Sequence, residues 1–352
     1  MSVTTTTQVS EQAARNLLVE MVSIPSPSGE EQGAATYLKN FFEEHGREAY
    51  LDEVGNVRAP ADDSVLLTSH IDTVPGDIPV RVEEDDDGEA TLWGRGSVDA
   101  TGPLCAMAVA AVNTGVSFVG VVGEETDSRG ARFLVEDRDA PEAVINGEPS
   151  GWDAVTLGYR GLLSGTYTVE TASGHTSRPD TNAIQHAMAW WDEVAAAFES
   201  ADDESVFESI TAKPVGFEGG VADDGLSMKA TADVQFRIPP GVTPQEIRET
   251  IEGMLGPGTI EWTDEIQPVM VSPRSPVARA FRVGIRKRGG DPRLLRKTGT
   301  ADMNLFAGAW DCPMATYGPG DSDLDHAPDE RLALSEYDRA IAVLETVCSD
   351  LQ

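Results

Sequence analysis

Five short segments of the chain place histidine, aspartate or glutamate where an apolar run gives way to a loop. They are SHIDTVPG (69–76), GRGSVDATGP (94–103), VGEETDSRG (122–130), NGEPS (146–150) and DSDLDHAPDE (321–330). His70, Asp99, Glu125, Glu148 and His326 are the candidate metal ligands within them. Imidazole and carboxylate donors without a thiolate suit zinc, cobalt or manganese in a hydrolytic site. Two histidines and three carboxylates suffice for two ions if one carboxylate is shared. Two ions about 3.5–4 Å apart can divide the polarising of a carbonyl from the generation of hydroxide.

Taken singly, each residue has an ordinary reading. A lone His70 is a hydrogen-bonded core histidine. Asp72, two residues on, changes that, because a nearby carboxylate can orient a metal-bound imidazole. Asp99 alone serves equally well as an N-cap for the helix around Pro103. The pair Glu124 and Glu125 alone is a solvated surface, yet it follows the apolar run VSFVGVV, where solvated charge is out of place. Taken together, one hydrolytic mechanism explains all five segments.

Ligands so far apart in sequence meet only if the fold brings their loops together. In open α/β sheets the carboxyl ends of the strands open onto one crevice. The runs 64–69, 116–122 and 143–146 read as strands buried on both faces. Residues 11–22, 33–44 and 102–113 read as helices, with Ser10 capping the first. An acidic turn at 85–88 separates VRVEE from EATLW, the pattern of a hairpin. Strand alternating with helix predicts an α/β domain with a largely parallel, mixed sheet. After Gly161 the pattern changes. Residues 163–171 alternate as a strand, 182–198 are helical, 226–238 alternate, 243–254 are helical and 259–262 are strand-like. That order suits a compact α+β, ferredoxin-like unit. After Ser272 the first style returns. The expected division is a metal-binding catalytic domain of 1–161 and 271–352 with an inserted α+β domain, 162–270.

Acidic residues number 60 against 26 basic ones, of which five are lysine, for a net charge of −34. Such a surface repels nucleic acid phosphates and anionic membranes. The acidic residues are spread along the chain, as on the surface of a salt-adapted, halophilic protein. At about 1 M salt the screening length falls to roughly 3 Å, which makes the self-repulsion tolerable. No apolar run approaches the ~18 residues of a membrane span. The polar start, 1–12, lacks the basic and apolar regions of a signal peptide, so a cytoplasmic location is expected. Cys105, Cys312 and Cys348 are scattered and odd in number. They read as buried free thiols and not as a disulfide framework or a cysteine-only zinc site.

SHIDTVPG, GRGSVDATGP, VGEETDSRG and DHAPDE resemble segments of the di-zinc deacylase family of carboxypeptidase G, acetylornithine deacetylase and succinyl-diaminopimelate desuccinylase. The resemblance covers nearly the whole chain. GYRG (158–161), SGHTSRPD (173–180), KTGTADMN (297–304) and YGPGDSDLDHAPDE (317–330) are most similar to the branch that releases lysine or ornithine from an amino-group carrier protein. The resemblance implies two divalent ions per subunit, zinc in the first place and cobalt as the alternative. It implies that Asp99 bridges them, that His70 and Glu148 complete one metal, and that Glu125 and His326 complete the other. It also implies Glu124 as general base and Asp72 as the residue that orients His70. In several relatives an aspartate matches Glu148; glutamate follows the desuccinylase-like branch. His175 matches a histidine that, in dimeric relatives, reaches the neighbouring subunit's active site and stabilises the oxyanion. A homodimer is therefore implied, with the inserted domain serving as dimerisation and lid domain.

Arg160 and Thr300 are candidates for gripping the α-carboxylate of a released amino acid, arginine through a bidentate fork. A structural salt bridge is an equal reading for Arg160, and Lys297 is a further substrate candidate. The expected reaction cleaves the isopeptide between a carrier protein's terminal glutamate and lysine or ornithine, in lysine or arginine biosynthesis. The alternatives are a small-molecule N-acyl diamino acid deacylase and a catalytically silent relative that only binds. Lysine and ornithine differ by one methylene, worth roughly 1–3 kcal/mol in a pocket. Finally, 274–297 holds nine of the 26 basic residues and one acidic residue, Asp291. Its core, VARAFRVGIRKRGG, reads either as an amphipathic helix with a basic outer face or as the seat of an acidic carrier protein.

Overall fold

Val65, Leu66 and Leu67 have no exposed surface, and the run around them is the strand Asp62–His70, apolar on both faces because both faces are covered. The computed structural model describes residues 8–84, 86, 88–199, 205–223 and 225–352. They fall into two units. The larger takes the chain up to Leu157, with Val271–Leu295 and Leu305–Gln352; the smaller takes Gly158–Met270 and Arg296–Asn304.

In the larger unit, Val116–Val121, Asp62–His70, Val144–Gly147 and Met314–Thr316 lie side by side and parallel. Antiparallel strands flank them, Val57–Ala59 on one side and the start of Ala154–Tyr159 on the other. The sheet is thus mixed and mostly parallel. Helix Thr101–Thr114 is buried from Thr101 through Val112, and its many alanines let neighbouring elements approach it closely. Gly115, at φ +77°, closes this helix in the left-handed conformation that glycine adopts without strain. Helix Glu11–Val22 starts at Ser10, whose side chain accepts from the Ala13 amide. Phe42 of helix Gln32–Glu44 packs its ring 4.9 Å from that of Phe118. The hairpin of Arg81–Glu84 with Ala90–Trp93 is present. Asp85 and Asp87 of its turn lie outside the described residues, as does 1–7 of the polar N-terminal stretch. Among the described residues no helix is long and apolar enough to cross a membrane.

The smaller unit runs strand, helix, strand, strand, helix, strand. Its four antiparallel strands lie in the order Thr211–Val221, Ser227–Ile238, Gly161–Ala172, Thr259–Ile266, the ferredoxin-like arrangement. Helices Ala183–Ala197 and Pro244–Glu252 begin with capping boxes, Asn182 with Gln185 and Thr243 with Glu246. Tyr167 stacks on Trp190 at 3.9 Å between ring centroids. The edge strand Thr211–Val221 escapes the sequence pattern because Pro214, Gly216, Gly219 and Gly220 interrupt its alternation, as edge strands tolerate. The segment 296–304, read from the sequence with the larger domain, packs with this unit. Arg160 Nε donates to the Thr298 carbonyl at 2.9 Å, and Asn304 Nδ2 donates to the carbonyls of Arg160 and Gln267.

Candidate metal centre

The parallel strands of the larger unit deliver the ligand-type residues at their carboxyl ends. His70 ends one strand, Glu124 and Glu125 follow the next, and Glu148 follows Gly147 of the third. Asp99 comes from the turn before helix Thr101–Thr114. It is not the cap of that helix: the N-cap position falls on Ala100, without a side-chain cap, and the Asp99 carboxylate turns to the histidines instead.

Asp99 Oδ1 lies 3.1 Å from His70 Nε2, and its other oxygen, Oδ2, lies 3.2 Å from His326 Nε2. Around His70 stands Glu148, with Oε1 at 3.9 Å. Around His326 stands Glu125, with both oxygens at 3.1 Å. One carboxylate therefore faces two imidazoles, each with a carboxylate of its own. Donor atoms of His70, Asp99 and Glu125 all lie within 4.8 Å of one another. This donor set fits a pair of divalent ions sharing Asp99: oxygen and nitrogen ligands, an acceptor atom on each side, and a pre-oriented imidazole.

His70 faces Asp72 through both the main chain and the side chain, with the Asp72 Oδ1 3.7 Å from Nδ1 and the carbonyl closer. Its Nδ1 donates to the Asp72 carbonyl at 2.8 Å, which aims Nε2 at Asp99. The fully buried Asp72 carboxylate has a different task. It accepts from the Glu124 amide at 3.0 Å, the Glu125 amide at 3.1 Å and the Ser28 hydroxyl at 2.7 Å. One residue thus fixes the first imidazole and the backbone of the two glutamates.

The side chains of the centre carry crowded, alternating charge. Burial alone would push the Asp99 carboxyl up, but hydrogen bonds from His326 and His70 hold it far below the usual carboxylate range. The hydrogen bond to Asp99, with Glu125 nearby, pushes His326 up to about 9. Burial would lower His70, yet Asp99, Glu148 and Glu124 together raise it well above its ordinary value. Burial pushes the Glu125 carboxyl up. A cluster that holds protons on its imidazoles by surplus negative charge is one that divalent cations can neutralise.

The remaining sequence candidates belong to the smaller unit. His175 is exposed, with Nδ1 at 2.7 Å from the Ser177 hydroxyl. Arg160 is buried, and its fork is partly spent: Nε donates to Thr298, and Nη1 to the Val206 carbonyl and the Thr211 hydroxyl. Among the described residues the acceptors of Arg160 are neutral oxygens, with no carboxylate among them. Arg160 nevertheless lines a cavity of about 350 Å³ with Lys213, Gln235, Arg237, Thr298 and Gly299. Thr300 accepts from Arg237 Nη1 at 3.3 Å, and Lys297 lies in the strand Arg293–Lys297, just before Thr298. Sequence reasoning passed over Arg237, whose one signal was a cation in an alternating strand, VQFRI. It also passed over Glu330, the last residue of DHAPDE.

The model of the peptidase family M20/M25/M40 matches residues 66–350. The "[LysW]-lysine hydrolase" of Deinococcus radiodurans is 42% identical, with 97% of each chain covered. The "[LysW]-lysine/[LysW]-ornithine hydrolase" of Sulfurisphaera tokodaii is 32% identical over 94% of this chain and 93% of that protein. Among solved structures, the M20 family metallo-carboxypeptidase Sso-CP2 of Sulfolobus solfataricus superposes with a TM-score of 0.78 at 22% identity, covering 96% of this chain and 99% of that one. The family match spans most of the chain and both units, and the ligand-type residues gather at the strand ends of the larger one. The chain belongs to the peptidase family M20/M25/M40.

Proposed function

We propose that this chain is a metal-dependent amide hydrolase that releases lysine or ornithine from the γ-glutamyl terminus of an amino-group carrier protein. Asp99, turned between two histidines, is the observation that carries the hydrolytic chemistry. Relatives at 32–42% identity over nearly the full length, bearing [LysW]-lysine or [LysW]-ornithine hydrolase names, support the substrate class. The place of action is the cytoplasm, and the acidic surface suits a salt-rich one.

We assign His70 and Glu148 to one zinc ion, Glu125 and His326 to the other, and Asp99 to both. When bound, the pair supplies Lewis-acid polarisation and a water of lowered pKa. Glu124 would take a proton from water as the C–O bond forms, and return it to the amine nitrogen as the carbonyl re-forms and the C–N bond breaks. Asp72 holds Glu124 in place through its amide. In a homodimer, His175 of the partner subunit donates to the developing oxyanion. Arg160, with Thr300 and Lys297, is assigned to the α-carboxylate of the leaving amino acid, and we add Arg237. Burial lowers the pKa of both guanidiniums, and Arg237 lowers that of Arg160 further. A carboxylate bound there would offset the repulsion between two desolvated cations.

The test is product analysis after incubation with carrier protein bearing lysine or ornithine. Free lysine or ornithine, lost when zinc is chelated, is the expected result. Release only from N-acetylornithine or N-succinyl-diaminopimelate would replace the carrier reading with a small-molecule one.

The basic segment adds a prediction about the carrier. Helix Pro276–Lys287 buries Val277, Phe281 and Ile285, and turns Arg279 and Arg286 outward. Beyond it, Gly290 packs on Trp152, which follows Glu148 by four residues, and Arg339 lies 5.1 Å over the same ring. Changing Arg286 and Arg288 together to Glu should raise KM for the carrier substrate by about tenfold, through lost charge complementarity. Hydrolysis of γ-glutamyl-ornithine, if that short substrate is accepted, should not change. Equal effects on both substrates would leave the basic face as ordinary surface.

A further inference from the structure

The turn that carries Asp99, residues 94–100, has no helix or strand ladder of its own to hold it. Besides a few backbone bonds, such as Ser97 N–H to the Gly94 carbonyl, it is held by one side chain on another segment. Glu330 has no exposed surface and is surrounded by that turn. Its Oε1 accepts from the amides of Val98 at 2.8 Å and Asp99 at 3.0 Å. Its Oε2 accepts from the Gly96 amide at 3.1 Å and from Arg95 Nη1 at 2.8 Å. The turn thus closes around a carboxylate as a nest of amides closes around an anion. Gly96 allows this closeness: at φ +82° it is in the left-handed region, and a Cβ there would come within 2.7 Å of Thr73.

Arg95 extends the clamp to two other loops of the centre. Its Nη1 donates to the carbonyl of Ala327, the residue after His326, and its Nε to the carbonyl of Gly76, on the loop that follows His70 and Asp72. His326 itself sits at φ +60°, a conformation that costs a non-glycine residue energy and persists where surroundings enforce it. The Arg95 bond to Ala327 is one such enforcement.

We propose that Glu330 and Arg95 form a positioning pair that sets the bridging carboxylate and the second histidine in register before any metal arrives. The inference rests on the ligand assignment above. Five carboxylates, Asp72, Asp99, Glu124, Glu125 and Glu148, crowd this part of the molecule, and their repulsion opposes the metal-free arrangement. The pair resists it without touching a metal or the substrate. A buried ion pair satisfied by four N–H donors on the acid side holds geometry even where its net contribution to stability is small.

The test compares Glu330→Gln and Arg95→Lys with the wild-type holoenzyme and its chelator-treated form. Zinc affinity is measured by competition with a chelating dye well below the thermal transition, where only folded protein is present. Outer-sphere partners of metal ligands are worth about 10–100-fold in metal affinity, and that weakening is expected in both variants. At saturating zinc, Arg95→Lys should recover most of its turnover, because its ligands and base are intact. A part that only supported the fold would lower the melting temperature without changing zinc affinity in folded protein. Wild-type zinc affinity in a folded Glu330→Gln variant overturns the proposal. If Glu330→Gln does not fold, the Arg95→Lys measurement decides in the same way. His70→Ala and His326→Ala are the controls for the ligand assignment. Retention of both ions by these controls would show that the ligand set, and not the clamp, is wrong.

Discussion

Replacing Glu124, the proposed general base, by Gln should lower turnover by about 10²–10⁴-fold, the usual contribution of such a group, and should leave the metal content of the chain unchanged. The side chains have nearly the same shape, so the Glu124 amide keeps its bond to Asp72 and the backbone of Glu125 is undisturbed. What should disappear is the proposed ability to take a proton from water and deliver it to the amine. Metal content by atomic emission and steady-state kinetics on the carrier substrate check the two halves separately. If zinc is lost along with activity, Glu124 is a ligand and the roles of Glu124 and Glu125 have been exchanged.

The second large effect concerns His175. Loss of one oxyanion donor costs about 10²–10³-fold in turnover, so His175→Ala homodimers should be nearly inactive. Their defect differs from that of Glu124→Gln, because the proposed dimer draws the two residues of one site from different chains. Refolding the two inactive variants together in equal amounts should restore about one quarter of wild-type turnover, since half of randomly paired dimers are mixed and each mixed dimer holds one complete site. Recovery is read against a control that proves subunit exchange, such as mixing of differently tagged chains. Exchange without recovery would place His175 outside the catalytic machinery or in its own subunit's site.

The parallel strands were legible in the sequence because burial on both faces leaves a continuous apolar signature, as in SVLLTS and VSFVGVV. Thr211–Val221 was not, because glycine and proline on an exposed edge erase the alternation that marks a strand. The residues gathered around Asp99 could be named in advance from their types and their places after strands. Their connections could not. Asp72 suggested a carboxylate beside His70; its Oδ1 is 3.7 Å from Nδ1, and its carbonyl takes the hydrogen bond at 2.8 Å. Residue type reveals nothing about main-chain acceptors, since every residue has one. Glu330 was visible as a letter in DHAPDE, but its task depends on which amides converge on it, and that is set by a turn more than two hundred residues away in the chain. Arg160 is a parallel case. The arginine in GYRG was visible as a candidate for substrate, but not the carbonyls of Thr298 and Val206 that take part of its fork.

The two bonds of Asp72 also bear on how this site can change over evolutionary time. Its carbonyl sets His70, and its carboxylate sets Glu124 and Glu125. A substitution at position 72 that removes the carboxylate keeps a carbonyl but takes away the acceptor for the Glu124 and Glu125 amides. The hydrogen bond that aims His70 can therefore survive a change that displaces Glu124, the proposed base. The reverse path runs through the backbone: a shift that re-aims His70 carries the carboxylate with it. On the proposed roles, a shift at His70 is thus inherited by Glu124, whereas a change in the hold on Glu124 need not be inherited by His70. Lineages that lose hydrolysis but still bind metal should be easier to reach by single steps at this position than lineages that alter the metal and keep hydrolysis.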